Sequence, residues 1–357
     1  MPVFRSRCLL RPTNGCAIVR DSNDRCKLPR CSKSAVMRIR WALDKSRPTR
    51  LSLFILPVLV TLIFSSCGSG GGNGGFWTLR HSGTNNTLYG IASSGSQAVA
   101  VGSLGTIVSS SNGLSWTVRS SGVIANLYGI VSSGAQFVVV GDFGTILTSD
   151  DLVTWTSQTS GTTNLLRSVA WTGSQFVAVG DAGTILTSPD AMSWTTQTSG
   201  TSNDLYGVGG SNALIVAVGT GSTILTSPTG AVWTPQTSHI GNTIYGVVWT
   251  GVQFLSVGIT GGSSPYTNVQ TSFDGMTWTG QNPAIGNTMQ AAAWSDDAQA
   301  FMAVGCCGTY ELSPDGITWV VNIEQLLPFA VNLNSVTWFN NRFIAAGALG
   351  AIYTSPK

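Results

Sequence analysis

Charge is scarce in this chain. Asp, Glu, Lys and Arg make up only 9% of its 357 residues, and the histidines are two, His81 and His239. Residues 67–357 hold five basic side chains (Arg80, Arg119, Arg167, Arg342 and Lys357) against 12 acidic ones. The basic excess sits wholly in residues 1–66, where 13 Lys or Arg face three Asp. Nucleic-acid binding needs clustered cations to displace counterions, so no nucleic-acid partner is expected for the long acidic part. Metal ligands are equally scarce. Cys8, Cys16, Cys26 and Cys31 are separated by seven, nine and four residues with no histidine among them. Zinc sites favour paired ligands two to four residues apart, so no metal is expected, and no cofactor motif is present. Helical periodicity is missing throughout.

The chain also lacks an apolar run long enough to span a bilayer, which takes about 20 residues. Its longest such run covers residues 51–64, preceded by basic residues from Arg38 to Arg50 and followed by Ser65, Ser66 and Cys67. A charged region, a short apolar core and small residues before a cleavage point describe a signal peptide. The sequence therefore divides into four parts. Residues 1–36 read as an extension, disordered or untranslated, before a conventional start at Met37. Residues 37–66 read as the signal peptide, 67–75 as a glycine-rich tether and 76–357 as the folded domain.

What the sequence does have is repetition. Tryptophan returns every 39 residues at Trp77, Trp116, Trp155, Trp194 and Trp233, and then at Trp278 and Trp319. A glycine after a hydrophobic run keeps the same beat: Gly102, Gly141, Gly180, Gly219, Gly258, Gly305 and Gly347. Each unit holds four short segments rich in β-branched and aromatic residues, ending at Gly, Ser, Asn or Asp. A period near 40 built of strands predicts an all-β fold, a seven-bladed β-propeller with four-stranded antiparallel blades. The last repeat stops before its Trp segment, whereas residues 76–81 form a Trp segment with no strands before it. The N-terminal strand is therefore expected to complete the last blade and so remove two open sheet edges.

Four residues before the Trp stands Asn112, Asp151, Asp190, Thr229, Asp274 or Asp315, in steps such as Asp-Gly-Met-Thr-Trp. These steps resemble the Asp-box, or BNR, repeat of sialidases and related propellers, one residue shorter between Asp and Trp. The resemblance implies a structural role: a stapled turn that plants a Trp between blades. The steps V-G-x-x-G-T-I-L-T-S and D-G-x-x-W also make residues 76–357 similar to the propellers of photosystem II assembly and stability factors. That likeness implies a chaperone for membrane complexes. The Ser65-Ser66-Cys67 step resembles the lipobox of bacterial lipoproteins, which implies acylation of Cys67 and lipid-anchored export to the bacterial envelope.

Candidate binding residues gather on one predicted face. Tyr89, Tyr128, Arg167, Tyr206 and Tyr245 recur at the start of the innermost strand. They either pack between blades or form an aromatic rim for a sugar or an extended peptide. The turns after the repeat glycines, with Asp142, Asp181 and the Cys306-Cys307 pair, share that face. So do a six-residue insertion within 259–268, bearing Tyr266, and a three-residue one within 322–332, bearing Glu324. The adjacent cysteines have two readings, a vicinal disulfide or free thiols. A sialidase needs three arginines around a substrate carboxylate, and only Arg167 is placed near the channel. The sequence thus reads as a monomeric, non-enzymatic binding or scaffolding module for a protein or glycan. An assembly-factor-like chaperone and a carbohydrate-active hydrolase are the alternatives.

Overall fold

The computed structural model describes residues 77–259, 268–281, 287–321 and 331–357. Cys67, the leader, the tether, Tyr266 and Glu324 lie outside the described residues. Those described form seven four-stranded antiparallel sheets and no α-helix. The innermost strands are Leu88–Ser93, Leu127–Ser132, Leu166–Trp171, Leu205–Gly210, Ile244–Trp249, Met289–Ser295 and Leu333–Trp338. Each packs against the innermost strand of the next blade, and Leu333–Trp338 packs back against Leu88–Ser93, so the ring is closed.

The second strand of each blade, for example Phe137–Gly141, is buried at every position. Its continuous hydrophobicity follows from having a neighbouring blade on both faces. The core is accordingly split into seven clusters, one between each pair of blades. Between the seventh and first blades, Ile344 and Ile352 meet Leu88, Ala98 and Val108, with Trp116 packed against them. Every cluster receives one of the seven repeat tryptophans, from Trp77 beside Leu333 and Tyr353 to Trp319 beside Leu255 and Phe301. A spacing of 39 in sequence is thus one large side chain per interface.

The repeat glycine has a separate cause. Gly102 is extended, with φ near −165°, so backbone freedom is not what it supplies. A Cβ there would stand 2.0 Å from the Thr87 carbonyl oxygen, and the other six meet the equivalent carbonyl at 2.0–2.3 Å. The connection entering each blade crosses directly over this residue, and only a residue without a side chain fits.

Closure uses both ends of the chain. The outermost strand of the last blade is Thr78–Arg80, paired antiparallel with Ile352–Thr354 in the register Thr78 to Thr354 and Arg80 to Ile352. It is shorter than the expected 76–81: Trp77 precedes it and turns into the cluster, and Phe76 lies outside the described residues. Two faces result. One, the ring face, carries the turns between second and third strands together with the blade-to-blade connections. The other, the hairpin face, carries the remaining turns. Trp77 enters on the hairpin face. The C-terminus leaves there too, with Ser355 hydrogen-bonded to Phe343 at the start of a second strand.

Candidate functional site

The innermost strands share a defect that builds the site. In all seven the pairing register slips after the first residue, so one residue faces no partner. Those unpaired residues are Tyr89, Tyr128, Arg167, Tyr206, Tyr245, Gln290 and Asn334. A β-bulge re-aims the side chain it carries. Here the seven line one cavity of about 180 Å³ at the axis of the ring. Sequence reasoning found five of the seven. Gln290 was legible in the same signal, twelve residues after Trp278. Asn334 was hidden by the insertion that follows Trp319.

The bulge also explains the Tyr-Gly pairs. A Cβ at Gly90 would meet the Tyr128 carbonyl oxygen at 2.5 Å, and one at Gly207 the Tyr245 carbonyl at 2.8 Å. Each ring residue's own carbonyl presses on the preceding blade, so the residue after the bulge stays small (Gly, Ser or Ala at all seven positions).

The side chains are coupled in two groups. Tyr89 and Tyr128 lie with ring centroids 4.9 Å apart. Arg167 is ion-paired through Nε with Asp181 and lies 4.3 Å from the centroid of the Tyr206 ring, which meets Tyr245 edge-on at 5.1 Å. A guanidinium held by a carboxylate on one side and a π face on the other is oriented before any ligand arrives. Burial pushes the Tyr128 hydroxyl above its usual titration range, and the Asp142 carboxylate adds to the effect. Tyr245 is raised by burial first and by Tyr206 second. These phenols stay protonated donors through physiological pH. Asn334 donates through Nδ2 to the Leu88 carbonyl at 2.8 Å, tying the seventh blade to the first at the mouth.

Five turns of the ring face are short 3-10 turns: Ser103–Gly105, Asp142–Gly144, Asp181–Gly183, Cys306–Gly308 and Ala348–Gly350. Asp142, Asp181, Cys306 and Cys307 thus share a face with the ring, as the sequence predicts. Cys306 is a buried free thiol whereas Cys307 is disulfide-bonded, so the pair forms no vicinal disulfide and the free-thiol reading holds for Cys306 alone. Its place in the turn explains this: Cys306 points into the fold, while the middle residue Cys307 adopts the left-handed conformation at φ 58°. Among the described residues no cluster of His, Cys, Asp or Glu suits a metal ion.

The other arginines lie elsewhere. Arg119 Nε donates to Ser109 Oγ at 2.8 Å and Arg80 Nε to Thr354 Oγ1 at 2.9 Å, each clasping an outermost strand to the third. Gln158, Gln197, Gln236 and Gln281 do the same in their blades. Arg342 lies in a turn of the hairpin face, just before Phe343–Gly347. On that face Asp151 Oδ1 accepts from the backbone N–H groups of Val153 and Thr154 at 2.8 and 2.7 Å. Asn112, Asp190, Asp274 and Asp315 repeat the arrangement. Indole N–H groups of Trp194, Trp233, Trp278 and Trp319 donate back to the turn, whereas those of Trp116 and Trp155 are buried without an acceptor. These side chains hold turns together.

No known family model and no curated protein sequence matches the chain. Solved structures do. A structure described as YCF48 bound to D1 peptide aligns with a TM-score of 0.65 at 16% identity, covering 80% of this chain and 96% of that one. YCF48 from Cyanidioschyzon merolae aligns at 0.61 and 17% identity, covering 79% of this chain and 98% of that one. At this identity the likeness shows the fold.

Proposed function

We propose that this protein is an exported, non-enzymatic binding module that takes a segment of a partner polypeptide at the tyrosine–arginine mouth of its channel. The observation that carries the reading is the ring itself: seven bulge residues aimed into one cavity. Phenol and amide donors and one fixed guanidinium suit the carbonyl groups of an extended chain. A polypeptide ligand is supported over a glycan by the structurally similar YCF48, which was solved with a D1 peptide bound. A chaperone-like part in assembling membrane complexes is the form this role would take in an envelope lipoprotein.

Hydrolysis is disfavoured by chemistry. A tyrosine nucleophile needs a lowered pKa, and burial shifts Tyr128 and Tyr245 the other way. Arg80 and Arg119 are committed to outer strands, so three arginines do not converge on a carboxylate.

The test is a peptide array and a glycan array probed with the protein, followed by titration of the best hits against Arg167→Tyr. That variant restores the residue found at four other ring positions, so it should fold. We expect peptide hits, weakened about tenfold by the substitution, which corresponds to ~1.4 kcal/mol. Glycan hits alone, or peptide affinity indifferent to Arg167→Tyr, would overturn the reading.

A further inference from the structure

We infer that the ring face carries a second binding element, an apolar arc over three consecutive blades, and that it docks apolar side chains of a partner polypeptide flanked by a basic residue. The inference rests on the reading that this face takes a polypeptide. The arc comprises Leu349 of the seventh blade, Leu104 of the first, Ile124 in the connection to the second, and Phe143 of the second. They are exposed by 70, 68, 88 and 79%.

Three of the four occupy the middle of a 3-10 turn in the left-handed region: Leu104 at φ 55°, Phe143 at 56° and Leu349 at 57°. Glycine or asparagine takes that conformation at least cost, and a branched or aromatic side chain is the costly choice. The same position in the third blade is Ala182, so a small side chain suffices for the turn. Folding therefore gives no reason for leucine or phenylalanine here, and solubility argues against them. Strain and exposure kept together at one repeat position point to a contact made outside the chain.

The surroundings select the occupant. Asp142 adjoins Phe143, and Asp204 lies on the same face; among the described residues neither is ion-paired, Arg167 being matched with Asp181. An anionic bilayer would be repelled by such a face, whereas a polypeptide with apolar side chains and a Lys or Arg beside them is complementary to it. Phe143 also borders a groove of about 660 Å³ floored by Ser157, Gln158, Thr159, Ser160, Thr162 and Thr163. Hydroxyl and amide groups there can meet the backbone of the docked segment. Leu165 strengthens the apolar character: it occupies the place where Asn126, Asp204 and Asn332 accept the turn's middle N–H in other blades.

The experiment uses the full chain and three synthetic 15-residue probes: leucine- and phenylalanine-rich with central lysines, the same with glutamates, and a serine-rich lysine peptide. Vesicles of phosphatidylglycerol and phosphatidylethanolamine form a fourth arm. The double variant Leu104→Gly/Phe143→Gly relieves the left-handed turns, so it folds with an unchanged or higher melting temperature. The apolar lysine peptide should bind, at least tenfold more weakly to the double variant, and Asp142→Asn should erase its advantage over the glutamate peptide. Equal binding by wild type and double variant overturns the arc. So do vesicle binding that the double variant loses, and a wild-type dimer that the variant dissociates, because each names a different occupant. If Arg167→Tyr weakens binding and the double variant does not, the ring reading stands without the arc. The opposite pattern leaves the arc without the ring.

Discussion

At the scale of single residues, two kinds of repeat position behave oppositely on substitution. Gly90→Ala places a methyl group 2.5 Å from a backbone carbonyl that has no room to withdraw, so a loss of about 1–3 kcal/mol is expected, read as a lower melting temperature. Leu104→Gly should instead leave stability within about 1 kcal/mol of wild type or raise it, because relief of a left-handed leucine offsets the added freedom of the unfolded chain. The hairpin-face carboxylates predict a pH dependence. Backbone N–H groups hold Asp151 and Asp274 at a pKa of about 2, and lower Asp190 and Asp315 as well. A depressed folded-state pKa gives stability that is present above the unfolded value near 4 and disappears as pH falls through the folded one. Melting temperature should therefore drop between about pH 4 and pH 2. Asp151→Asn should keep the turn, since Asn112 already fills that role, and should reduce the slope. A slope unchanged in the quadruple Asp→Asn variant would remove these carboxylates as its source. Residue-scale legibility was uneven. Trp and Gly positions announced themselves by period, but the reason for each glycine, a crossing carbonyl, is a contact between segments 15 residues apart and invisible in a linear reading. Gln290 was missed although it keeps the twelve-residue spacing from Trp278, and Asn334 because the insertion after Trp319 breaks that spacing.

At the scale of elements, the closing strand makes the sharpest prediction. Thr78–Arg80 forms only a three-residue ladder, yet it brings Trp77 into the cluster with Tyr310, at a ring distance of 5.3 Å. Deleting residues 76–81 should cost several kcal/mol: a fully buried Trp is worth about 3–5 kcal/mol, half-buried Trp77 supplies part of that, and the strand ladder and the Arg80 clasp are lost with it. It should also expose an unpaired edge and promote association, visible in sedimentation. An unchanged melt would mean that the blade is complete without it. The strand count, the blade order and this closure were all legible, because short apolar segments and turn residues are local signals and the 39-residue period shows a last unit that stops short of its Trp segment. Bulges were not. A slipped register depends on what lies opposite, and the sequence marks it only by a small residue after each Tyr or Arg.

At the scale of the whole molecule, the leader remains a proposal of its own. If Cys67 is acylated, Cys67→Ser should abolish metabolic lipid labelling and change processing; an intact, unacylated N-terminal segment found by mass spectrometry would refute it. The chain enters the propeller at Trp77, on the hairpin face, and ends on that face as well. The ring of bulge residues opens on the opposite face. A solid support joined at Lys357 would therefore leave the mouth clear, so a propeller immobilised by that residue should capture its ligand as well as the free protein does, whereas one coupled through the ring-face turns should not.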